Sequence, residues 1–440
     1  MWEGRLARRI SVPYGTDNLD FELPPDKIVA VADLPAAAAA ENPLLEVERA
    51  LKAPVSSPPL RELAKKGHKV VIVVNDITRP TPTALILQPI LDELKQAGIR
   101  EAETQIIVAT GLHEANSDKE MERVVGPFVF DRYEVTCHNP EEKTVFLGTS
   151  SRGTPLAFNR DAVKADLRIL TGSIEPHQLA GYTGGAKSLL PGLSSRETIE
   201  KNHSLLLDHN VAAGLITKNP LRKEIDESVG LFGATFLLNV VLNLRDEIVG
   251  AVAGDVIEAH RQGAEVCNRV SRVYVPGLAD IVIASPGGFP EDIDLYQGQK
   301  AVTQAEKAVK RGGVIILVSK CERGLGDGLF REWMCEEKRP EDIIERMRRE
   351  GFKMGAHKAF LFARTMLNVD LIVVSDIPDK ALEEMHLTPA SSIEEALELA
   401  YRKVGRDSKV TVLPNASRSL VSVTPSRGEA KSSHALPEAG

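Results

Sequence analysis

The chain has 440 residues, a formal net charge of -8, 43% hydrophobic and 26% charged residues. That length exceeds what one ordinary hydrophobic core serves, so two domains are expected. The acidic balance leaves no cationic footprint for nucleic acid, and no window approaches the roughly eighteen uncharged apolar residues of a membrane span.

The opening stretch, MWEGRLARRISVPYG, lacks the apolar core of a secretory signal, which points to the cytoplasm. The run Ala36 to Ala40 reads as a helix or linker without chemistry. Apolar runs then recur, each followed at once by a polar or glycine-bearing turn. Residues 70–74 (VVIVV) enter NDITRPTP, residues 105–109 (QIIVA) enter TGLHEANS, and residues 166–170 (DLRIL) enter TGSIEPH. Past residues 270–277 the pattern resumes: 280–285 (DIVIAS) meets PGGFPED, 314–319 (VIILVS) meets KCERG, and 371–375 (LIVVS) meets DIPD. Continuous apolar strands alternating with helices predict an α/β protein of two domains, with largely parallel sheets flanked by helices. Ligands in such sheets sit beyond the carboxyl ends of the strands, where all these polar turns fall, so an active site in the interdomain cleft is expected.

The boundaries read as follows. Residues 1–272 form an N-terminal domain, 273–405 a Rossmann-like C-terminal domain, and 406–415 a strand returning to the first domain. The Ser-, Ala- and Pro-rich stretch 416–440 reads as a disordered tail. Cys137, Cys267, Cys321 and Cys335 are scattered without a CxxC pair and read as free thiols.

The densest chemistry lies between Gly172 and His203, GSIEPHQLAGYTGGAKSLLPGLSSRETIEKNH. It places Lys187 after the Gly184-Gly185 turn, between His177 and His203. An amine on a glycine-rich turn between imidazoles suits covalent holding of a reactive group, with histidines as metal ligand or proton carrier. Ala186 before Lys187 departs from a Walker A loop, which needs glycine there, and no GxGxxG follows the first strand. Asp76 and Arg79 read either as a helix-capping surface pair or as functional groups fixed at a strand end by Pro80 and Pro82. His113 reads as an ordinary loop histidine or as a functional one placed directly after a buried strand. Lys300, taken alone, reads as a helix-surface lysine. The remaining histidines, His260 among them, lack ligand spacing and read mostly as surface or structural.

The motifs DITRP, ATGLH, IEPHQLAGYTGGAKSLLPGLSSRETIEKNH and GGFPEDIDLYQGQKA, in this order across most of the chain, resemble the nickel-dependent lactate racemase family. The resemblance implies a racemase or epimerase of 2-hydroxy acids carrying nickel in a pyridinium-3,5-bisthiocarboxylic acid mononucleotide, a nickel-pincer nucleotide made by dedicated maturation proteins. By that likeness Lys187 holds the cofactor covalently and His203 ligates nickel. His113 and His177 are the acid/base pair. Asp76, Arg79, Gln297 and Lys300 bind or polarise substrate and cofactor, with Gly184 and Gly185 in the cofactor loop. The chain departs from the family's frequent arginine at Ala186, and from lactate-acting members at Glu114-Ala115, where they carry Arg-Pro, and at His357, where they carry a tryptophan. The departures at Glu114-Ala115 and His357 imply a 2-hydroxy acid larger or more polar than lactate.

The chemistry is consistent with that likeness. Removing the Cα proton of a 2-hydroxy acid would set a carbanion beside a carboxylate, whereas removing a hydride leaves a stable 2-keto acid. Two bases serve the two enantiomers, and an arginine holds the carboxylate while the rest turns. Two other functions compete: an oxidoreductase using free NAD, against which the missing glycine fingerprint counts, and a non-catalytic nickel-pincer binding protein, against which the retention of both His113 and His177 counts.

Overall fold

Residues 70–74 are all β-branched, and such stiff side chains suit a pleated surface covered on both faces. All five are buried in the strand Val70–Asn75, the centre of a six-stranded sheet. The computed structural model describes residues 7–424 and divides the chain into two units, residues 36–270 and residues 1–35 with 271–440.

In the first of these units the sheet runs Ile248–Gly254, Thr235–Leu242, Leu167–Ser173, Val70–Asn75, Thr104–Ala109, Glu134–Cys137. All neighbours are parallel except the first pair. Ile72 stands opposite Ile106 on one side and Ile169 on the other. Because those three central strands are parallel, the turns after Asn75, Ala109 and Ser173 all leave at the same end. The edge strand is covered rather than left bare: Glu46 Oε1 accepts from Ala251 N at 2.9 Å, and Arg49 Nη2 donates to Ala251 O at 2.8 Å. Residues 36–40, open for helix or linker in the sequence, form neither helix nor strand, and Ala40 N donates to Ile248 O at 2.8 Å.

The other unit holds a second six-stranded sheet, wholly parallel: Thr388–Ala390, Asp370–Val374, Val309–Val318, Ala279–Ala284, Val410–Leu413, Ile28–Val31. The expected return of the 406–415 strand to the first domain is therefore corrected. Val410–Leu413 stays between Ala279–Ala284 and Ile28–Val31, and it is the chain's beginning that joins this unit. The physical reason is apolar closure. Ile10, Val12, Phe21 and Leu23 of the hairpin Arg8–Tyr14/Asp17–Leu23 pack in one core with Ile281, Ile283, Val314 and Val412. The extent 1–272 for the first domain is corrected likewise, since residues 1–35 lie with 271–440. The expected disorder from 416 fails over its first part: Leu420–Val423 pairs in parallel with Arg272–Val275, burying Leu420 and Val421. Residues 425–440 of that expected tail lie outside the described residues. No disulfide joins the four cysteines, and among the described residues no helix is long and apolar enough to cross a membrane.

Candidate active site

Asp76 follows the central strand directly and is 5% exposed. Its Oδ1 accepts from Thr78 N at 2.8 Å, and its Oδ2 lies 2.8 Å from His113 Nδ1. Burial alone would raise this carboxyl. The hydrogen bond and charge of His113, then Thr78 and Arg79, outweigh it and bring Asp76 down to about 2. Asp76 is thus an anion, so the Nδ1 that faces it carries a proton, and whenever the ring is neutral its lone pair falls on Nε2. Asn116 ties the two turns together, its Oδ1 accepting from Ile77 N at 3.3 Å.

His177 is held in the other tautomer. It lies in a two-stranded ribbon, Pro176–His177 against Gly181–Tyr182, and its Nδ1 accepts from Leu179 N at 3.2 Å and Ala180 N at 3.0 Å. Backbone amides can only donate, so the neutral ring bears its proton on Nε2. One histidine therefore offers an acceptor at Nε2 and the other a donor.

Lys187 sits in the short helix Gly185–Ser188, which begins after a turn at Gly184. Gly184 and Gly185 have φ of +73° and +61°, which disfavour any residue with a Cβ. A Cβ at Gly184 would also stand 2.5 Å from Asn239 Oδ1, and one at Gly185 would stand 2.6 Å from Arg222 Nη2. Burial first, then the charges of Arg79 and Arg222, lower the Lys187 amine to about 7 against the opposing pull of Asp76. His203, at the end of the helix Arg196–His203, is 6% exposed. Burial and the charge of Lys187 bring it down to about 3, so it is a neutral imidazole, the form a metal needs.

Asp76, Arg79, His113, His177, Lys187 and His203 all lie in the unit of residues 36–270. Gln297 and Lys300 lie in the other unit. There Asp294 caps the helix Leu295–Ala305, accepting from Gln297 N at 2.7 Å, and Lys300 stands one turn further on. Lys358 is 4% exposed and donates to Gln299 Oε1 at 3.1 Å. Burial, then the charge of Lys300, pushes its amine well below the ordinary value. His357, 8% exposed, packs on Tyr296 and Phe352 with ring centroids 6.1 Å and 5.2 Å away.

Sequence reasoning missed Arg222, Asn239 and Asn116 as site residues and left His260 among the unremarkable histidines. Arg222 is fully buried in the helix Pro220–Glu227, and His260 is 1% exposed, both beneath the Gly184-Gly185 turn. No motif could have marked them, because an arginine inside KNPLRKEID has the pattern of a solvated helix face.

A buried aspartate–histidine pair and a depressed lysine on the turns of a largely parallel sheet are an arrangement suited to an α/β enzyme working on a small molecule. The family model described as "Lactate racemase N-terminal domain" matches residues 14–214, and "Lactate racemase C-terminal domain" matches 276–421. The lactate racemase of Thermoanaerobacterium thermosaccharolyticum is 34% identical over 422 residues, covering 94% of this chain and 99% of that protein. That of Lactiplantibacillus plantarum is 33% identical over 422 residues, covering 92% and 98%. The solved lactate racemase apoprotein from T. thermosaccharolyticum superposes with a TM-score of 0.89 at 33% identity, over 94% of this chain and 100% of that one. A Thermotoga maritima protein shares the fold at a TM-score of 0.63 and 19% identity, over 88% and 100%. The chain belongs to the lactate racemase family, and the enzyme is an isomerase, a racemase.

Proposed function

We propose that this enzyme racemises or epimerises a 2-hydroxy acid by reversible removal of the Cα hydride, with Lys187 and His203 holding a nickel-pincer nucleotide. The observation that carries the reading is the Asp76–His113 pair at 2.8 Å in the same unit as a lysine lowered to about 7 and a neutral, buried histidine. Among the described residues no cluster of three or more His, Cys, Asp or Glu could hold a metal by itself. An organic pincer would bring donors of its own to a metal bound through His203. When bound, such a group supplies an acceptor for the Cα hydride.

The chain's own residues do the rest. Arg79 pairs with the substrate carboxylate through two parallel hydrogen bonds. His113 takes the hydroxyl proton of one enantiomer at Nε2, and Asp76 stabilises the imidazolium that results. His177 is the acid/base partner on the side of the other enantiomer: in the tautomer its backbone contacts favour, Nε2–H donates to the substrate oxygen, and taking the hydroxyl proton there requires the other tautomer. Gln297 and Lys300 are the further residues this reading assigns to polarising substrate and cofactor. The dedicated maturation proteins are the partners this reading requires. Glu114-Ala115 and His357 support a substrate longer or more polar than lactate, because polar walls reject analogues that lack the matching group more strongly than apolar pockets discriminate by size.

The test is protein made beside the maturation proteins, analysed for nickel and intact mass, then assayed with both enantiomers of lactate, malate and gluconate. Malate or gluconate should exceed lactate in kcat/KM by at least about tenfold, roughly 1.4 kcal/mol. Lactate as the best of the three would overturn the substrate assignment, and NADH produced stoichiometrically with substrate would overturn the reaction.

A further inference from the structure

Three consecutive carbonyls just before Lys187 are held from below by two side chains. His260 Nε2 lies 2.9 Å from Thr183 O, and Arg222 Nη1 donates to Tyr182 O at 3.4 Å and to Gly184 O at 3.5 Å. The two side chains also bond each other, Arg222 Nη2 lying 3.0 Å from His260 Nδ1. Arginine can only donate, so His260 Nδ1 accepts and Nε2–H donates to Thr183 O. From the opposite side Gly185 N donates to Asn239 Oδ1 at 2.8 Å. Arg222 Nε is 2.8 Å from Asp226 Oδ1, which balances its charge.

A buried charge network of this kind is a poor way to stabilise a fold, since well-packed apolar residues of similar volume often do as well or better. What it does supply is a fixed geometry: Thr183 O takes His260 Nε2–H, Tyr182 O and Gly184 O share Arg222 Nη1, and Gly184 O also accepts from Lys187 N at 3.3 Å. The glycines show how close the fit is, because at Gly185 even a methyl group would meet Arg222 and His260 within 2.8 Å.

We propose that Arg222 and His260 are positioning residues that lock the 182–185 turn and so fix where the Lys187 amine stands for covalent attachment. The consequence for attachment rests on Lys187 being the lysine that is modified. The lock itself does not.

The test compares full-length variants by hydrogen exchange of the peptide spanning 181–188, by melting temperature, and by the fraction carrying the covalent mass increment after expression beside the maturation proteins. Arg222→Met with Asp226→Leu removes both charges, so neither is left buried alone. It should melt within a few degrees of the parent, while the 181–188 amides exchange at least tenfold faster and the adduct fraction falls at least fivefold. His260→Leu should do the same, and His260→Gln, which keeps a donor toward Thr183 O, should restore most of the loading. Unchanged exchange at 181–188 would overturn the proposal, as would full loading on a loosened turn. So would a fall in melting temperature with faster exchange throughout residues 36–270, which would make the network only structural. If the parent carries its adduct on another residue, the assignment of Lys187 fails, while the exchange comparison still decides the lock.

Discussion

At the scale of the residue, the proposed reading divides the work of Lys187 and the histidines between holding a group and moving a proton. A covalent link of the proposed kind needs a primary amine, so Lys187→Ala should give folded protein lacking both the mass increment and the near-ultraviolet absorbance of the loaded enzyme. The full adduct mass on that variant would move the attachment elsewhere. His203→Ala should lose nickel, whereas His113→Ala and His177→Ala should keep it and lose about 10²–10⁴-fold in turnover, as general acid–base groups do. Equal nickel loss in all three would mean the roles are misassigned. Asp76 makes a prediction about acid. Its carboxyl stands at about 2 in the folded protein against an ordinary 3.8, so it binds a proton less readily folded than unfolded. Its stabilisation, on the order of 2 kcal/mol, is present above about pH 4 and is lost as the pH falls through about 2. Urea titrations should show parent and Asp76→Asn converging in stability across that window. A constant difference between them would show that Asp76 is not held low.

At the scale of the element, the Gly184-Gly185 turn tolerates little substitution. Gly185→Ala combines a left-handed φ of +61° with a Cβ 2.6 Å from Arg222 and 2.8 Å from His260, and both residues are enclosed. The backbone conformation costs about 1–2 kcal/mol and the crowding about 1–3 more, so a loss of at least about 2 kcal/mol is expected in denaturant unfolding. Gly230, with open space around its Cβ position, is the control, and Gly230→Ala should stay within about 0.5 kcal/mol. Equal costs at the two positions would remove the turn's special status. The apolar strands and their polar exits were legible because both faces of a parallel sheet are covered and its loops are not. The edge was not legible: that Glu46 and Arg49 satisfy Ala251 depends on a helix 200 residues away in sequence lying alongside the strand.

At the scale of the whole molecule, the segments 8–31 and 410–423 complete one unit. Ile10, Val12, Phe21 and Leu23 are each nearly inaccessible there, and burying each contributes about 1.5–3 kcal/mol. Their sum, about 6–12 kcal/mol, is as large as the total stability of an ordinary domain. Deleting residues 1–35 should therefore unfold the unit containing 271–440, while residues 36–270 expressed alone should melt as one cooperative transition. Calorimetry of both chains checks this. A truncated chain that kept two transitions would show that the hairpin is dispensable.

The sequence by itself determined the strands and the polar turns at their carboxyl ends, because burial on both faces is written in local residue choice. It also carried the family, through motifs whose order and spacing survive along one dimension. Only the tertiary structure decided that the strand at 410–413 stays with the second sheet, and that residues 1–35 close it. Parallel pairing joins segments distant in sequence, and several partners satisfy the same apolar pattern. The same reason hid Arg222, Asn239 and His260. Their task is to meet backbone atoms of a turn formed elsewhere, and a donor aimed at a distant carbonyl leaves no trace in its neighbours along the chain.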